Sequence, residues 1–208
     1  MGHGGCGKTT LVEAIAYQTG ITARMGKVTD GNTISDYDKE EQKRQFSIST
    51  SVVPVEFEDI KINFLDTPGY FDFVGEVEEA CHAAGAAVIV INGKSGVEVG
   101  TLKAWELCEK YKLPRLFFVT GMDDDQASYR KIVLELNDRF GRKVAPFHVP
   151  IRENEKFVGF VNVVKMKGRR FINDTSEYEE CDIPDYMDKH LNISVMHLLR
   201  LLLIQARS

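Results

Sequence analysis

Gly2-His3-Gly4-Gly5-Cys6-Gly7-Lys8-Thr9 opens the chain and spells the phosphate-cradling pattern G-x-x-x-x-G-K-[ST], with Thr10 and an apolar, helix-spaced stretch behind it. Each residue type has its own physical reason to be there. Glycines let successive backbone N–H groups turn inward, the following helix offers the positive end of its dipole to phosphate, Lys8 reaches the β- and γ-phosphates, and the Thr9 hydroxyl suits Mg²⁺. The stretch predicts a nucleoside-triphosphate site on a P-loop NTPase fold of the α/β class; the rival reading is a Gly-rich turn ahead of an amphipathic helix. Such a loop hangs from the end of a buried parallel strand. Only Met1 precedes it here, so the sheet is expected to lack its first strand.

Outward from that loop, Leu11, Val12, Ile15 and Ala16 give a helix that ends before Gly20. Residues 21–45 are polar and charge-dense, which reads as a long mobile segment or a solvated face. Ser47–Phe57 and Lys61–Asp66 read as a hairpin turning at Glu58-Asp59. The runs 86–92 and 116–120 are apolar without alternation, as strands buried on both faces are. Helical spacing separates them over Val97–Tyr111 and returns over Tyr129–Phe140. Strand and helix alternate, so the predicted sheet is doubly wound and mostly parallel. After Gly141-Arg142 the composition turns to β-type segments, Val144–Ile151 and Phe157–Met166, the start of a small inserted α+β lobe. The expected organisation is a nucleotide-binding core over 1–142, the beginning of the lobe over 143–192, and an atypical apolar tail over 193–208.

At 208 residues, 43% hydrophobic and 27% charged, the chain is long enough for one cored domain with an appended lobe. A net charge of −5 argues against holding DNA or other nucleic acid through overall charge. Cys6, Cys81, Cys108 and Cys181 stand far apart with no C-x-x-C pair, so neither a zinc site nor a disulfide framework is suggested and reduced, cytoplasmic thiols are expected. No leader pattern opens the chain, position 6 lacks the Ser or Thr of a myristoylation signal, and the apolar run 198–204 is broken by Arg200, so no membrane association is expected.

Two further motifs extend the site. Asp66-Thr67-Pro68-Gly69 follows the strand Ile62–Leu65, where an acid at a strand's carboxyl end faces phosphate: Asp66 for Mg²⁺ through water, the Gly69 N–H for the γ-phosphate. By itself the tetrapeptide is also a good turn. Ser47 offers a hydroxyl to the same cation, or else simply starts a strand. In Thr120-Gly121-Met122-Asp123, Asp123 is suited to accept hydrogen bonds from guanine N1 and N2; the alternative is that Asp123, Asp124 and Asp125 cap the next helix.

Together these residues resemble the translational GTPase family, in particular its elongation factor G group, over Gly2 to about Asn192. The family's phosphate loop G-H-I-D-A-G-K-T-T stands here as G-H-G-G-C-G-K-T-T, its R-G-I-T-I as Arg44-Gln45-Phe46-Ser47-Ile48, and its D-T-P-G-H-V-D-F as Asp66 to Phe73 with Tyr70 for the water-positioning histidine. Its N-K-M-D survives as Thr120, Gly121, Met122 and Asp123. Losing a buried hydrogen bond there costs about 1–3 kcal/mol, or about 5- to 150-fold in nucleotide affinity.

What the resemblance implies is GTP or GDP with Mg²⁺ as cofactors, the ribosome as partner of the parent protein, and a cytoplasmic place of work. It assigns nucleotide contact to Gly2, His3, Gly4, Gly5, Cys6, Gly7, Lys8, Thr9, Thr10, Asp66, Thr67, Pro68, Gly69, Thr120, Met122 and Asp123. Metal binding falls to Thr9, Ser47 and Asp66, and the catalytic part to Lys8, Gly69 and Tyr70. A nucleotide-binding paralogue that does not hydrolyse, a ribosome-protection factor and an inert partial product are the alternatives. Residues 193–208 depart from the acidic helix of the family, suggesting an interrupted or shifted reading frame.

Overall fold

The computed structural model describes residues 1–141, 144–154, 156–172, 177–184 and 187. The apolar tail expected over 193–208 lies outside the described residues. The chain divides into two compact units, Met1–Thr120 and Gly121–Ser208.

In the first unit, helix α1 (Lys8–Gln18) follows the glycine loop and lays Val12 and Ala16 on Val53 and Val55 of strand β1 (Ser51–Phe57), with Ile15, Ile34 and Phe64 around them. β1 turns back into β2 (Ile60–Asp66) as an antiparallel hairpin with Ser51 opposite Asp66 and Phe57 opposite Ile60. Glu58 takes the left-handed conformation at the turn, φ 53°. Buried and exposed residues alternate along β1 from Ser51 to Glu56, as in a strand with one face on the core. β2 delivers Asp66 to its carboxyl end, and helix α3 (Val74–Ala83) follows the Asp66-Thr67-Pro68-Gly69 turn.

A second core is built around β3 (Ala87–Asn92), α4 (Val99–Lys110) and β4 (Arg115–Thr120), a strand-helix-strand unit whose strands pair in parallel from Ala87/Arg115 to Asn92/Thr120. Ile89 and Ala87 meet Ala104 and Cys108 of α4 and Cys81 of α3. Trp105 stacks on Phe117 at 5.7 Å with an interplanar angle of 4°, and the Arg115 guanidinium sits 3.8 Å over the Trp105 ring.

Among the described residues, Met1 and Gly2 run beside β3 on its other edge: the Val90 N–H donates to the Met1 carbonyl at 2.9 Å and Gly2 bridges Val90 in parallel. The expectation of one doubly wound, mostly parallel sheet is therefore met only by the β3–β4 pair and this bridge. Among the described residues β1–β2 and β3–β4 share no hydrogen-bonded strand.

The polar stretch 21–45 differs from the expected mobile or solvated segment. It holds a 3₁₀ turn (Val28–Asp30) and helix α2 (Lys39–Arg44), capped by Asp38, and it buries Thr33, Ser35, Asp36 and Glu41. Composition alone hides this because the buried groups are polar. Helix α3 was also not foreseen, although Val74, Val77, Ala80 and Cys81 carry helical spacing.

The second unit carries α5 (Tyr129–Phe140) and a four-stranded antiparallel sheet, β5 (His148–Glu153), β6 (Lys156–Asn162), β7 (Lys167–Phe171) and β8 (Tyr178–Cys181), in sequential order. Val149, Ile151, Val161, Val163 and Met187 form its core.

Candidate nucleotide site

α1 starts at Lys8 because Gly7 takes φ 90°, ψ 23°, a conformation that L side chains avoid, and turns the loop into the helix. Lys8 and Thr9, in the first turn, are each only 8% exposed. The Lys8 ammonium donates to the His3 carbonyl at 2.8 Å and lies 3.9 Å from Cys6 Sγ. Burial pushes the Cys6 thiol pKa up, opposed by the Lys8 charge, so this thiol is held protonated. Gly4, Gly5 and Gly7 line the loop, and Thr10 points outward from the helix to solvent.

Asp66, Thr67 and Pro68 are buried, and the loop closes on them at Gly69: a Cβ there would stand 2.8 Å from Gly4 Cα and meet the Lys8 ammonium. Thr67 Oγ1 and His3 Nδ1 are buried with no hydrogen-bond partner, while His3 Nε2 lies 3.6 Å from Glu98. Asp66 Oδ2 is likewise buried without a partner. Burial pushes the Asp66 carboxyl pKa up, and the neighbouring Thr9 and Ser35 hydroxyls, the N-terminal amine and Lys8 oppose that rise.

Ser47, 38 positions after Thr9 in sequence, arrives at the same place. Its Oγ is 3.3 Å from Thr9 Oγ1 and donates to Asp36 Oδ1 at 2.7 Å. Thr9, Ser47 and Asp66 are thus brought together with Lys8 and Gly69. Among the described residues no group of three or more His, Cys, Asp or Glu side chains is assembled for a metal. A cation here must draw on hydroxyls, fewer than three carboxylates and phosphate. Hard oxygen donors with an unpartnered carboxylate oxygen fit Mg²⁺, which keeps waters and binds through few protein groups.

Tyr70 presents its ring toward Gly4, where a Cβ would come within 3.4 Å, and packs on Phe46 at 4.6 Å between centroids. Thr120 ends β4 and donates to the Cys6 carbonyl at 2.7 Å, so the strand end is tied to the phosphate loop despite the missing asparagine. Met122 and Asp123 belong to the second unit, where Arg152 donates to the Met122 carbonyl at 2.8 Å and Asp123 is exposed. The cap of α5 is Ser128, which accepts from the Lys131 N–H at 3.3 Å, so the alternative role of Asp123, Asp124 and Asp125 as that helix's cap is overturned.

Sequence reasoning missed Glu13, Asp36 and Glu41. One signal was available for Glu13: it lies on the buried stripe of α1 formed by Thr9, Val12 and Ala16, where an acid must be satisfied to persist.

The sequence pattern of the elongation factor Tu GTP-binding domain matches residues 1–200. The chain belongs to that family. Within the elongation factor Tu GTP-binding domain family it is similar to elongation factor G of Chlamydia caviae, at 36% identity over 187 residues, covering 89% of this chain and 27% of that protein. A crystal structure of a Thermus thermophilus protein matches with a TM-score of 0.90 and 36% identity over 96% of this chain and 30% of that one. The chain thus spans less than a third of either relative. Membership of a GTP-binding domain family implies GTP or GDP as ligand. Among the described residues no helix is long and apolar enough to cross a membrane.

Proposed function

We propose that the chain is the GTP- and GDP-binding part of an elongation factor G-like translational GTPase whose parent works in the cytoplasm, coupling GTP hydrolysis to movement on the ribosome. The N–H groups of Gly4, Gly5, Cys6 and Gly7 and the Lys8 ammonium cradle the phosphates. Thr9 and Ser47 offer hydroxyls to Mg²⁺, with Asp66 reaching it through water; bound there, the ion would offset the charge of the phosphate oxygens. The Gly69 N–H meets the γ-phosphate, and Asp123 selects guanine. In this reading 1–142 is the nucleotide core and 143–192 the beginning of an inserted lobe.

The observation that carries the proposal is the meeting of Thr9 and Ser47 at 3.3 Å beside the unpartnered buried oxygen of Asp66. No apolar or ordinary polar core needs that arrangement. Calorimetric titration of GTP, GDP and ATP in Mg²⁺ tests it: heat with the guanine nucleotides and none with ATP is expected, and equal binding of ATP contradicts the role given to Asp123.

A second reading, a nucleotide-binding paralogue that does not hydrolyse, is favoured by Tyr70. Its side chain is 48% exposed and leans on Phe46, and a phenol is a poor base at neutral pH. Single-turnover hydrolysis with and without ribosomes separates the two.

A further inference from the structure

Two carboxylates lie outside the phosphate and metal shell yet are as deeply buried as Asp66. Glu13 on α1 and Glu41 on α2 are each 2% exposed. Each uses both of its oxygens as acceptors for backbone N–H groups of the segment that carries Ser47. Glu13 Oε1 accepts from Gly26 at 2.7 Å and Oε2 from Ile34 at 2.7 Å. Glu41 Oε1 accepts from Ile48 at 2.9 Å and Ser49 at 3.1 Å, while Oε2 accepts from Asp38 at 3.3 Å.

We infer that Glu13 and Glu41 are positioning residues: Glu13 ties the stretch from Gly26 to Ile34 to α1, Glu41 fixes the turn that follows Ser47 within the same segment, and together they deliver the Ser47 hydroxyl to Thr9. The inference rests on the reading of Ser47 as a metal-shell group given above. Glu13 stands one helical turn after Thr9, so the segment is registered on the same helix that carries the metal-binding hydroxyl. Glu41 holds the two amides that follow Ser47 directly, so displacing its carboxylate displaces Ser47. Close approach is built in at Gly26, where a Cβ would stand 2.8 Å from Glu13 Oε1. Smaller ties support the clamp: Lys27 N–H to Asn32 Oδ1 at 2.7 Å, Gln42 to the Asp36 carbonyl at 3.2 Å, and Ser51 to the Ser35 carbonyl at 2.6 Å.

Only a carboxylate meets this demand. A glutamine offers one acceptor oxygen and an NH₂ that would face another donor. Where a switch segment is ordered solely by the γ-phosphate and its metal, it is released when they leave. Here the segment's amides are also held by the chain's own acids, Glu13 and Glu41.

Hydrogen–deuterium exchange on the full chain without nucleotide, comparing wild type with E41Q and E13Q, is paired with the Mg²⁺ dependence of fluorescent GDP binding. In wild type the amides of Gly26, Ile34, Ile48 and Ser49 are expected to exchange slowly. E41Q should speed Ile48 and Ser49 by about 10- to 100-fold, the worth of hydrogen bonds to a charged group, with β3 and α4 unchanged. It should also raise the Mg²⁺ concentration for half-saturation by about fivefold or more, which a purely structural role would leave alone. Unprotected amides in wild type, or unchanged exchange and Mg²⁺ dependence in E41Q, overturn the proposal. If E13Q loosens the whole chain, E41Q decides. If wild type binds no guanine nucleotide, the reading of the site fails, whereas the exchange contrast still decides the clamp.

Discussion

The Ser47 hydroxyl donates to Asp36 Oδ1 at 2.7 Å and stands 3.3 Å from Thr9 Oγ1. Asp36 thereby orients the Ser47 hydroxyl, with its second oxygen buried and without a partner.

That buried carboxyl gives the first prediction. Burial pushes the Asp36 pKa above 3.8; Ser47 and Thr33 oppose the rise, and Glu41 and Glu13 add to it. A raised folded-state pKa means that the folded chain keeps a proton the unfolded chain has already released. The charged form therefore weakens the fold above that window, and stability returns as pH falls through the folded pKa toward 3.8. Asp36→Asn keeps an acceptor for Ser47 and removes the charge. It is expected to melt above wild type at pH 7, by about 2–4 °C for each 1 kcal/mol relieved, with the gap closing as pH approaches 4. Scanning calorimetry over that range checks it, and a lower melting temperature for the variant at pH 7 contradicts it.

Thr120 gives the second. Its hydroxyl donates to the Cys6 carbonyl at 2.7 Å and lies 3.3 Å from the Ile91 carbonyl, joining two strand ends to the phosphate loop. Thr120→Val keeps the shape and strands the carbonyl, a loss of about 1–3 kcal/mol. Denaturant melts should show that loss and nucleotide titration a Kd raised about fivefold or more, while Thr120→Ser stays near wild type. An unchanged Kd in the valine variant would show that the tie does not shape the loop.

Much of this was legible in the sequence because short-range rules govern it. The glycine loop fixes its own backbone, the apolar spacing over Tyr129–Phe140 marks α5, and the β1–β2 register follows from a two-residue turn. What was not legible rests on contacts distant in sequence. Glu13 reaches residues 13 and 21 positions on, Thr120 reaches across 114, and neither pairing leaves a local pattern. The charge-dense segment misled for a related reason: Asp36 and Glu41 read as solvated acids, yet they are buried with backbone and hydroxyl partners that composition does not reveal.

Gly69 offers a steric test. With the Lys8 ammonium and Gly4 Cα occupying the space of a side chain, Gly69→Ala must push the phosphate loop or the lysine aside. Nucleotide affinity is expected to fall by about tenfold or more, equivalent to about 1.4 kcal/mol, with a smaller change in melting temperature. Binding equal to wild type would mean that the loop yields without moving Lys8.

Tyr70 bears on hydrolysis itself. Its ring packs 4.6 Å from Phe46 and faces Gly4, the position from which a side chain addresses the phosphate loop, but it carries a hydroxyl in place of an imidazole. Positioned acid–base groups contribute about 10²–10⁴-fold to a rate, and a histidine with a pKa near 6.5 does so at neutral pH where a phenol does not. Tyr70→His keeps an aromatic ring against Phe46, so the melting temperature should hold. Single-turnover GTP hydrolysis at pH 7 should rise by about tenfold or more and gain a pH dependence with a midpoint near 6.5. If the rate and its pH profile are the same in both proteins, residue 70 does not address the attacking water, and the non-hydrolysing reading loses the observation that favours it.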